Sequence, residues 1–288
     1  MTRSGFVAVA GRPNVGKSTL VNALTGTKVA IVSDKPHTTR HQIRGVHTAD
    51  DAQLVLVDLP GWQRPIDALT ERMQERVDET MAGDVDAVML VVDARVRIGA
   101  GDRYVARRVF GLGIPVVIVL NKVDRLKPGH IATQMKTASG LGAFHALHPV
   151  SAKTGDGIDE LRGDLISLLP EGPFLYPPEM STDMPLHARI AELVREQALR
   201  LTKEEVPHAL TAEVVEIDER RVHVRLYTET ESQKQILIGK GGSMVREIGR
   251  GARPQVEALI GHPVYLQLQV KAAPRWRRNE TMLERLGL

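Results

Sequence analysis

A chain of 288 residues with 42% hydrophobic content is comfortable for two folded units, each with its own core. The lack of cysteine excludes disulfides and thiolate metal centres and, with no signal-peptide pattern, favours a reducing, cytoplasmic setting. The formal charge of +3 is unevenly placed: from Gln233 onward ten Lys/Arg stand against four acids, +6, leaving −3 for the remainder. That tail meets a polyanion or is a solvated basic surface, and charge alone does not choose. Apolar runs such as Ala87 to Val92 and Val116 to Leu120 fall far short of the roughly 20 residues of a membrane-spanning helix. Peripheral contact with the inner face of the membrane is left open, although no basic amphipathic anchor stands out, and a monomer is expected.

In chain order, Phe6 to Ala10, Gln53 to Val57, Ala87 to Val92, Val116 to Leu120 and Ala146 to Val150 are apolar runs expected as buried parallel strands. Between them Lys17 to Leu24, Leu69 to Met81, Arg103 to Leu112, His130 to Leu141 and Ile158 to Leu169 repeat apolar residues every three to four positions, as crossover helices do. The expected class is α/β, a mostly parallel doubly wound sheet over residues 1–170. Five prolines in the sixteen residues from Pro170 to Pro185 exclude helix and central strand, so 171–184 is expected as a linker. In 185–288 the order changes to a small α+β domain. It comprises a helix over Leu186 to Leu201, a strand pair over Ala209 to Ile217 and Arg221 to Thr228, a helix over Ser243 to Ile260 and a strand over Val264 to Val270.

The segment GRPNVGKS, Gly11 to Ser18, follows the first strand and opens a helix, the context of a phosphate-binding loop. Gly11, Asn14, Val15, Gly16, Lys17, Ser18 and Thr19 would surround the phosphates, the backbone N–H groups facing the anion. Lys17 would reach the β and γ phosphates, and the Ser18 hydroxyl would ligate Mg²⁺. DLPG, at Asp58 to Gly61, sets a carboxylate at a strand end, where it can hold Mg²⁺ through a water, and Gly61 would offer its N–H to the γ-phosphate. NKVD, at Asn121 to Asp124, and SAK, at Ser151, Ala152 and Lys153, follow two later strands, where an open α/β sheet binds its ligand. Guanine presents N1–H and NH₂ side by side, and Asp124 can accept from both, whereas adenine offers no such pair. Asn121 would tie this segment to the phosphate loop, the Lys122 stem would cover the base, and the Ala152 N–H would meet the guanine carbonyl. NKVD alone is also an ordinary solvated turn, but the ordered set of motifs points to GTP.

Together GRPNVGKS, TTR, DLPG, NKVD and SAK resemble the translation-factor-related GTPases of the Era and Der type over residues 5–170. The resemblance implies GTP and GDP as ligands and a threonine completing the Mg²⁺ shell. Thr38 and Thr39 match, and Thr39 is favoured. It implies that Trp62, beside Gln63, turns away from the chemistry, and that Asn14 marks a K⁺ bridging the phosphates, the alternative being that Asn14 merely stabilises the turn. Leu59 departs from the usual threonine, at a position where Asp58 and the backbone carry the chemistry.

Gly239, Lys240, Gly241 and Gly242 form a G-x-x-G before a long helix, which alone is equally a tight turn. The spacing resembles the K-homology (KH) loop that clamps single-stranded nucleic acid. The surrounding order of elements resembles the prokaryotic variant of that domain, the type II KH fold. Arg246, Lys271, Arg275, Trp276, Arg277 and Arg278 are the further candidates for RNA contact, Trp276 equally fitting a packing role. A GTPase of this kind joined to this domain resembles the Era family, which implies 16S rRNA near its 3′ end and the 30S subunit as partners. The competing reading is an RNA scaffold whose nucleotide domain is structural. Der-like and tRNA-modification GTPases share the first domain but not the second.

Overall fold

The structure, a computed structural model, describes residues 2–35, 38–62, 65–83 and 85–288. The chain divides into two compact units, one of Met1–Ala30, Thr39–Pro65 and Arg72–Asp183, the other of Ile31–Thr38, Ile66–Glu71 and Met184–Leu288.

In the first unit β1 (Arg3–Gly11), β2 (Ile43–Thr48), β3 (Ala52–Asp58), β4 (Ala87–Asp93), β5 (Val116–Asn121) and β6 (Ala146–Val150) form one sheet, order β2-β3-β1-β4-β5-β6. All neighbours pair parallel except β2 and β3. Strands β3, β4 and β5 are buried at every position, as continuous apolar sequence requires when helices cover both faces. On one face α1 (Lys17–Thr25) and α5 (Ile158–Ser167) meet the sheet through Leu20, Leu24, Leu161 and Leu165. On the other lie α2 (Ala68–Ala82), α3 (Ala100–Phe110) and α4 (Pro128–Ala138), with Val77, Val105 and Val109 fully covered.

Strand β2 was not expected. Its sequence IRGVHT interleaves Arg44 and His47 with apolar residues, as a strand half in contact with water does, and the apolar-run criterion passes over it. The proline-rich segment is not a free linker either. Gly172 N–H donates to the Thr2 carbonyl (3.1 Å) and Val46 N–H to the Ser181 carbonyl (2.8 Å). Buried Gln53 accepts from the Leu175 and Tyr176 N–H groups (2.7 and 2.9 Å) and donates to the Tyr176 carbonyl (2.8 Å). A chain too rich in proline for a continuous ladder is held by isolated backbone bonds at its two ends and by the Gln53 side-chain amide between them.

In the second unit α6 (Leu186–Leu201) and α7 (Val206–Ala209) precede β7 (Thr211–Ile217) and β8 (Arg221–Thr228). Then come α8 (Glu231–Ile238), α9 (Ser243–Ile260), β9 (Tyr265–Ala272) and α10 (Glu280–Arg285). The sheet runs β7-β8-β9, antiparallel then parallel, with a bulge between Val214 and Glu216. Ile190, Val194, Leu226, Ile248, Ala252 and Val256 make its core. Helix α8 escaped the sequence reading because it buries only Leu237, so it shows no apolar period. It starts on a capping box, Thr230 accepting from Gln233 N–H and Gln233 reaching back.

Candidate functional site

The carboxyl ends of the parallel strands bring together Gly11, Asp58, Asp93 and Asn121, with Ser151 just beyond β6. The phosphate loop curls through left-handed backbone at Asn14 (φ 64°) and Gly16 (φ 99°). A side chain at Gly16 would start 2.4 Å from Asn121 Nδ2, so glycine is required there by space as well as conformation. Asn121 explains the crowding: its Nδ2 donates to the Val15 carbonyl (3.0 Å), and its Oδ1 accepts from the Lys122 and Ala152 N–H groups (2.8 and 3.1 Å). One amide thus ties the phosphate loop, NKVD and SAK together. The Ala152 N–H, expected for a guanine carbonyl, is shared with that amide oxygen.

Lys17 is buried, its Nζ donating to the Gly11 and Arg12 carbonyls (3.3 and 3.1 Å). The Ser18 hydroxyl donates to Asp58 Oδ2 (2.7 Å) and lies 2.9 Å from Thr39 Oγ1. The three expected Mg²⁺-holding side chains therefore converge. Thr38 directs its hydroxyl to the Lys35 carbonyl (2.6 Å), which leaves Thr39 as the residue facing the loop. Burial pushes Lys17 down to about 8 against the pull of Asp58, and pushes Asp58 up to about 6 against Lys17 and its hydroxyl donors. Each buried charge is short of a counter-charge, Lys17 of an anion and Asp58 of a cation. Asp58 Oδ1, buried and without a hydrogen-bond partner, agrees with a site built for a hydrated divalent ion. Gly61 packs against Pro13, where a Cβ would meet the backbone nitrogen at 2.8 Å, so its N–H sits beside the loop.

The base side is organised by a residue the sequence reading did not single out. Asp93 accepts from Lys122 Nζ (2.8 Å) and, with both oxygens, from Arg95 (3.0 and 2.8 Å). Burial raises its carboxyl, but the bonds from Arg95 and Lys122 outweigh it and hold the group at about 2. Lys122 Nζ also donates to the Asn14 carbonyl (2.5 Å), so the lysine joins the glycine-rich loop after β1 to Asp93 at the end of β4. Asp124 accepts from the Ser151 hydroxyl (2.9 Å), while Lys153 is exposed. Thr19 is half-buried within α1. Trp62 lies in the core under the Arg108 guanidinium, 5.0 Å from the ring centroid, and so turns away from the loop; Gln63 lies outside the described residues.

In the second unit Gly239 caps a 3₁₀ turn over Lys240, Gly241 and Gly242 between α8 and α9, all three glycines at positive φ. Gly241 faces open space, and Arg246 Nη1 staples its carbonyl (2.7 Å). Beside the turn a groove of about 380 Å³ runs between α9, through Arg246, Arg250 and Arg253, and edge strand β9, through Tyr265 and Gln267, over Leu266 and Leu268. Lys271, Arg275 and Arg278 are exposed. Two expected contacts are corrected. Trp276 is 1% exposed and its indole N–H donates to the Ala209 carbonyl (2.7 Å), a packing role. Arg277 is largely buried in an ion pair with Asp67 (2.6 Å), so its charge is already matched within the same unit.

The model of the 50S ribosome-binding GTPase family matches residues 6–122, and that of the KH domain matches residues 201–277. GTPase Era of Mycobacterium tuberculosis (strain ATCC 25618 / H37Rv) is 44% identical over 295 residues, covering 99% of this chain and 98% of its own length. That of Mycobacterium sp. (strain JLS) is equally similar. A crystal structure of Era with MgGDPNP and nucleotides 1506–1542 of 16S ribosomal RNA superposes with TM-score 0.96 at 35% identity, over 100% of this chain and 99% of that one. A single-residue variant of Aquifex aeolicus Era bound to GDP.AlF4- gives TM-score 0.95 at 35% identity, over 99% of each chain.

Proposed function

The chain belongs to the Era family of GTPases and hydrolyses GTP, and from that premise we propose that turnover times its hold on single-stranded RNA near the 3′ end of 16S rRNA, in the service of small-subunit assembly. Residues 1–170 act as the GTPase domain, 171–184 join, and 185–288 bind the RNA, in the cytoplasm where the subunit is made. The observation that carries the RNA half is the groove beside the glycine turn, where three arginines face an edge strand over apolar floor residues. Bases lie on apolar and aromatic surface, and phosphates meet backbone N–H groups and arginine.

In the GTPase half, Lys17 and the loop N–H groups neutralise the β and γ phosphates, and Asp124 selects guanine by accepting its two adjacent donors. Ser18, Thr39 and Asp58 would hold Mg²⁺, which would supply charge neutralisation at the phosphates. With Trp62 in the core, the backbone around Gly61 orients the attacking water. Asn14, held left-handed by the loop and by Lys122 at its carbonyl, would hold a K⁺ ion, which would supply the positive charge that an arginine finger gives elsewhere. Hydrolysis in KCl should exceed that in NaCl at equal ionic strength, and equal rates would leave Asn14 with a turn-stabilising role only.

The main experiment is fluorescence anisotropy with a labelled single-stranded oligonucleotide of the 16S 3′ end. Lys240→Asp with Gly241→Asp should abolish binding, through repulsion and backbone strain, while GTP hydrolysis without RNA survives. Binding at wild-type affinity would remove the glycine turn from the RNA site.

A further inference from the structure

The GTPase unit holds a second basic region that nucleotide binding does not use. Between residues 94 and 150 nine Lys/Arg stand against two acids, Asp102 and Asp124. Both flanks are acidic, with twelve acids against ten Lys/Arg in 1–93 and seventeen against nine in 151–232. The two acids inside the region are committed elsewhere. Asp102 is buried, caps α3 through the Gly99 N–H (2.9 Å) and pairs with Arg12 (3.2 Å). Asp124 belongs to the base-reading segment.

The fold puts these cations on one side. Helices α3 and α4 bury Val105, Val109 and Ala138 in one core cluster, and Gln134 of α4 donates to the Val96 carbonyl (3.0 Å). With the inner faces occupied, Arg97, Arg103, Arg107, Lys127 and Lys136 project to solvent. Tyr104, 46% exposed, lies between Arg103 and Arg107 in the sequence. Those two arginines are four residues apart, about 6 Å along the same helical face, a spacing at which like charges weaken a helix. Arg108 beside them pairs with Asp78 (2.9 Å), whereas among the described residues neither Arg103 nor Arg107 meets an acid. On the opposite face α5 carries Asp159, Glu160 and Asp164 against Arg162 alone.

We propose that the α3–α4 face is a second RNA-contact surface, one that holds the phosphate backbone of a duplex without reading its sequence. Its exposed side chains are mainly cations, with Val96 and Tyr104 as isolated apolar residues among them, and it lacks the groove over paired leucines that the second unit offers to single-stranded bases. Forked guanidiniums match phosphate oxygens, and base-paired RNA is recognised mainly through backbone and shape. The inference rests on RNA being the partner, not on the groove of the second unit.

Four full-length proteins, each also tested against a poly-glutamate peptide, separate the two surfaces: wild type, Arg103→Glu with Arg107→Glu, Arg103→Gln with Arg107→Gln, and the Lys240→Asp, Gly241→Asp pair. Each is titrated against a labelled RNA duplex of unrelated sequence and against the single-stranded 3′-end oligonucleotide, between about 50 and 200 mM salt. The α3 reversal should weaken duplex binding about tenfold or more and flatten its log–log salt dependence by about two. It should leave oligonucleotide binding and GTP hydrolysis unchanged. Arg103→Gln with Arg107→Gln, which only removes the charges, should give a smaller loss in the same direction. Duplex binding with wild-type affinity and salt slope in both α3 variants overturns the proposal. So does loss of a poly-glutamate peptide with the duplex retained, which would mark an acidic protein partner. If instead the glycine-turn variant keeps its oligonucleotide while the α3 variants lose the duplex, the groove reading fails and this one stands.

Discussion

Two glycine turns open two helices in this chain, and they are built for opposite purposes. The phosphate loop before α1 is closed: Gly16 has Asn121 against it and Gly11 has the Val91 carbonyl 2.6 Å from where a Cβ would sit. The turn before α9 is open at its tip, where a Cβ on Gly241 would meet nothing within 4 Å, although Gly239 at its base has the Met244 backbone nitrogen 2.7 Å from where a Cβ would sit. On the function proposed above, both turns would aim backbone N–H groups at phosphate from a helix start. The geometry of the closed one is fixed by tertiary bonds from Asn121 and Lys122 to the Val15 and Asn14 carbonyls, as a loop that must enclose a small ligand requires. The open one, on the proposed function, would admit a polymer that continues past it at both ends. Local sequence looks alike in the two cases, and the difference lies in what the rest of the fold brings against the turn.

Substitutions at matched positions break or sharpen that contrast. The largest effect is expected for Gly16→Ala, where a Cβ clash, a left-handed alanine and lost Asn121 bonds together cost about 4 kcal/mol, near a thousandfold in nucleotide affinity. Titration with a fluorescent GDP checks it, and near-normal affinity would mean the loop is not closed as described. Asp124→Asn should lower GTP affinity about a hundredfold and shift preference toward xanthosine nucleotides, because two charge-assisted bonds are lost. Competition between GTP and XTP measures the shift.

Asp93→Asn should release GDP about tenfold faster by freeing Lys122, read by stopped-flow chase. The sign of its pH effect is fixed. A carboxyl held at about 2, below its ordinary 3.8, contributes fully above the ordinary value and loses that contribution as pH falls through 2. Nucleotide release by the wild type should therefore show no titration from this group near neutrality. The smallest effect is expected for Gly241→Ala, about 1 kcal/mol of left-handed strain and about fivefold in RNA affinity, with no clash. A thousandfold loss there would make the second turn as closed as the first.

Much of this was legible in the sequence, for physical reasons that can be named. All five apolar strands are present, because burial on both faces demands unbroken apolar sequence. The residues of GRPNVGKS, DLPG, NKVD and SAK meet because each follows such a strand. Asp93 follows one too, but a carboxylate after a strand carries no motif, and only the structure shows that it holds Lys122. The neighbouring arginines make Arg277 a candidate for RNA contact, and Trp276 a candidate for either that or packing, from sequence alone. Their actual partners, the Ala209 carbonyl and Asp67, are 67 and 210 positions away, beyond what local sequence can reveal. The α3–α4 charge went unseen because the acidic flanks cancel it in any sum over the whole first domain.

The proline-rich strap also changes what proteases should make of this molecule. A segment of that composition would normally be the first cut, yet a protease must draw its substrate out into an extended strand with free backbone groups. Here several of those groups are already spoken for, by Thr2, by β2 and above all by the amide of Gln53. Leu175 and Met180 display side chains a protease would accept, 45% and 36% exposed, on a backbone it cannot easily lift. Cleavage between residues 172 and 182 thus becomes a reporter of local unzipping, slow while the Gln53 amide holds and fast once it lets go.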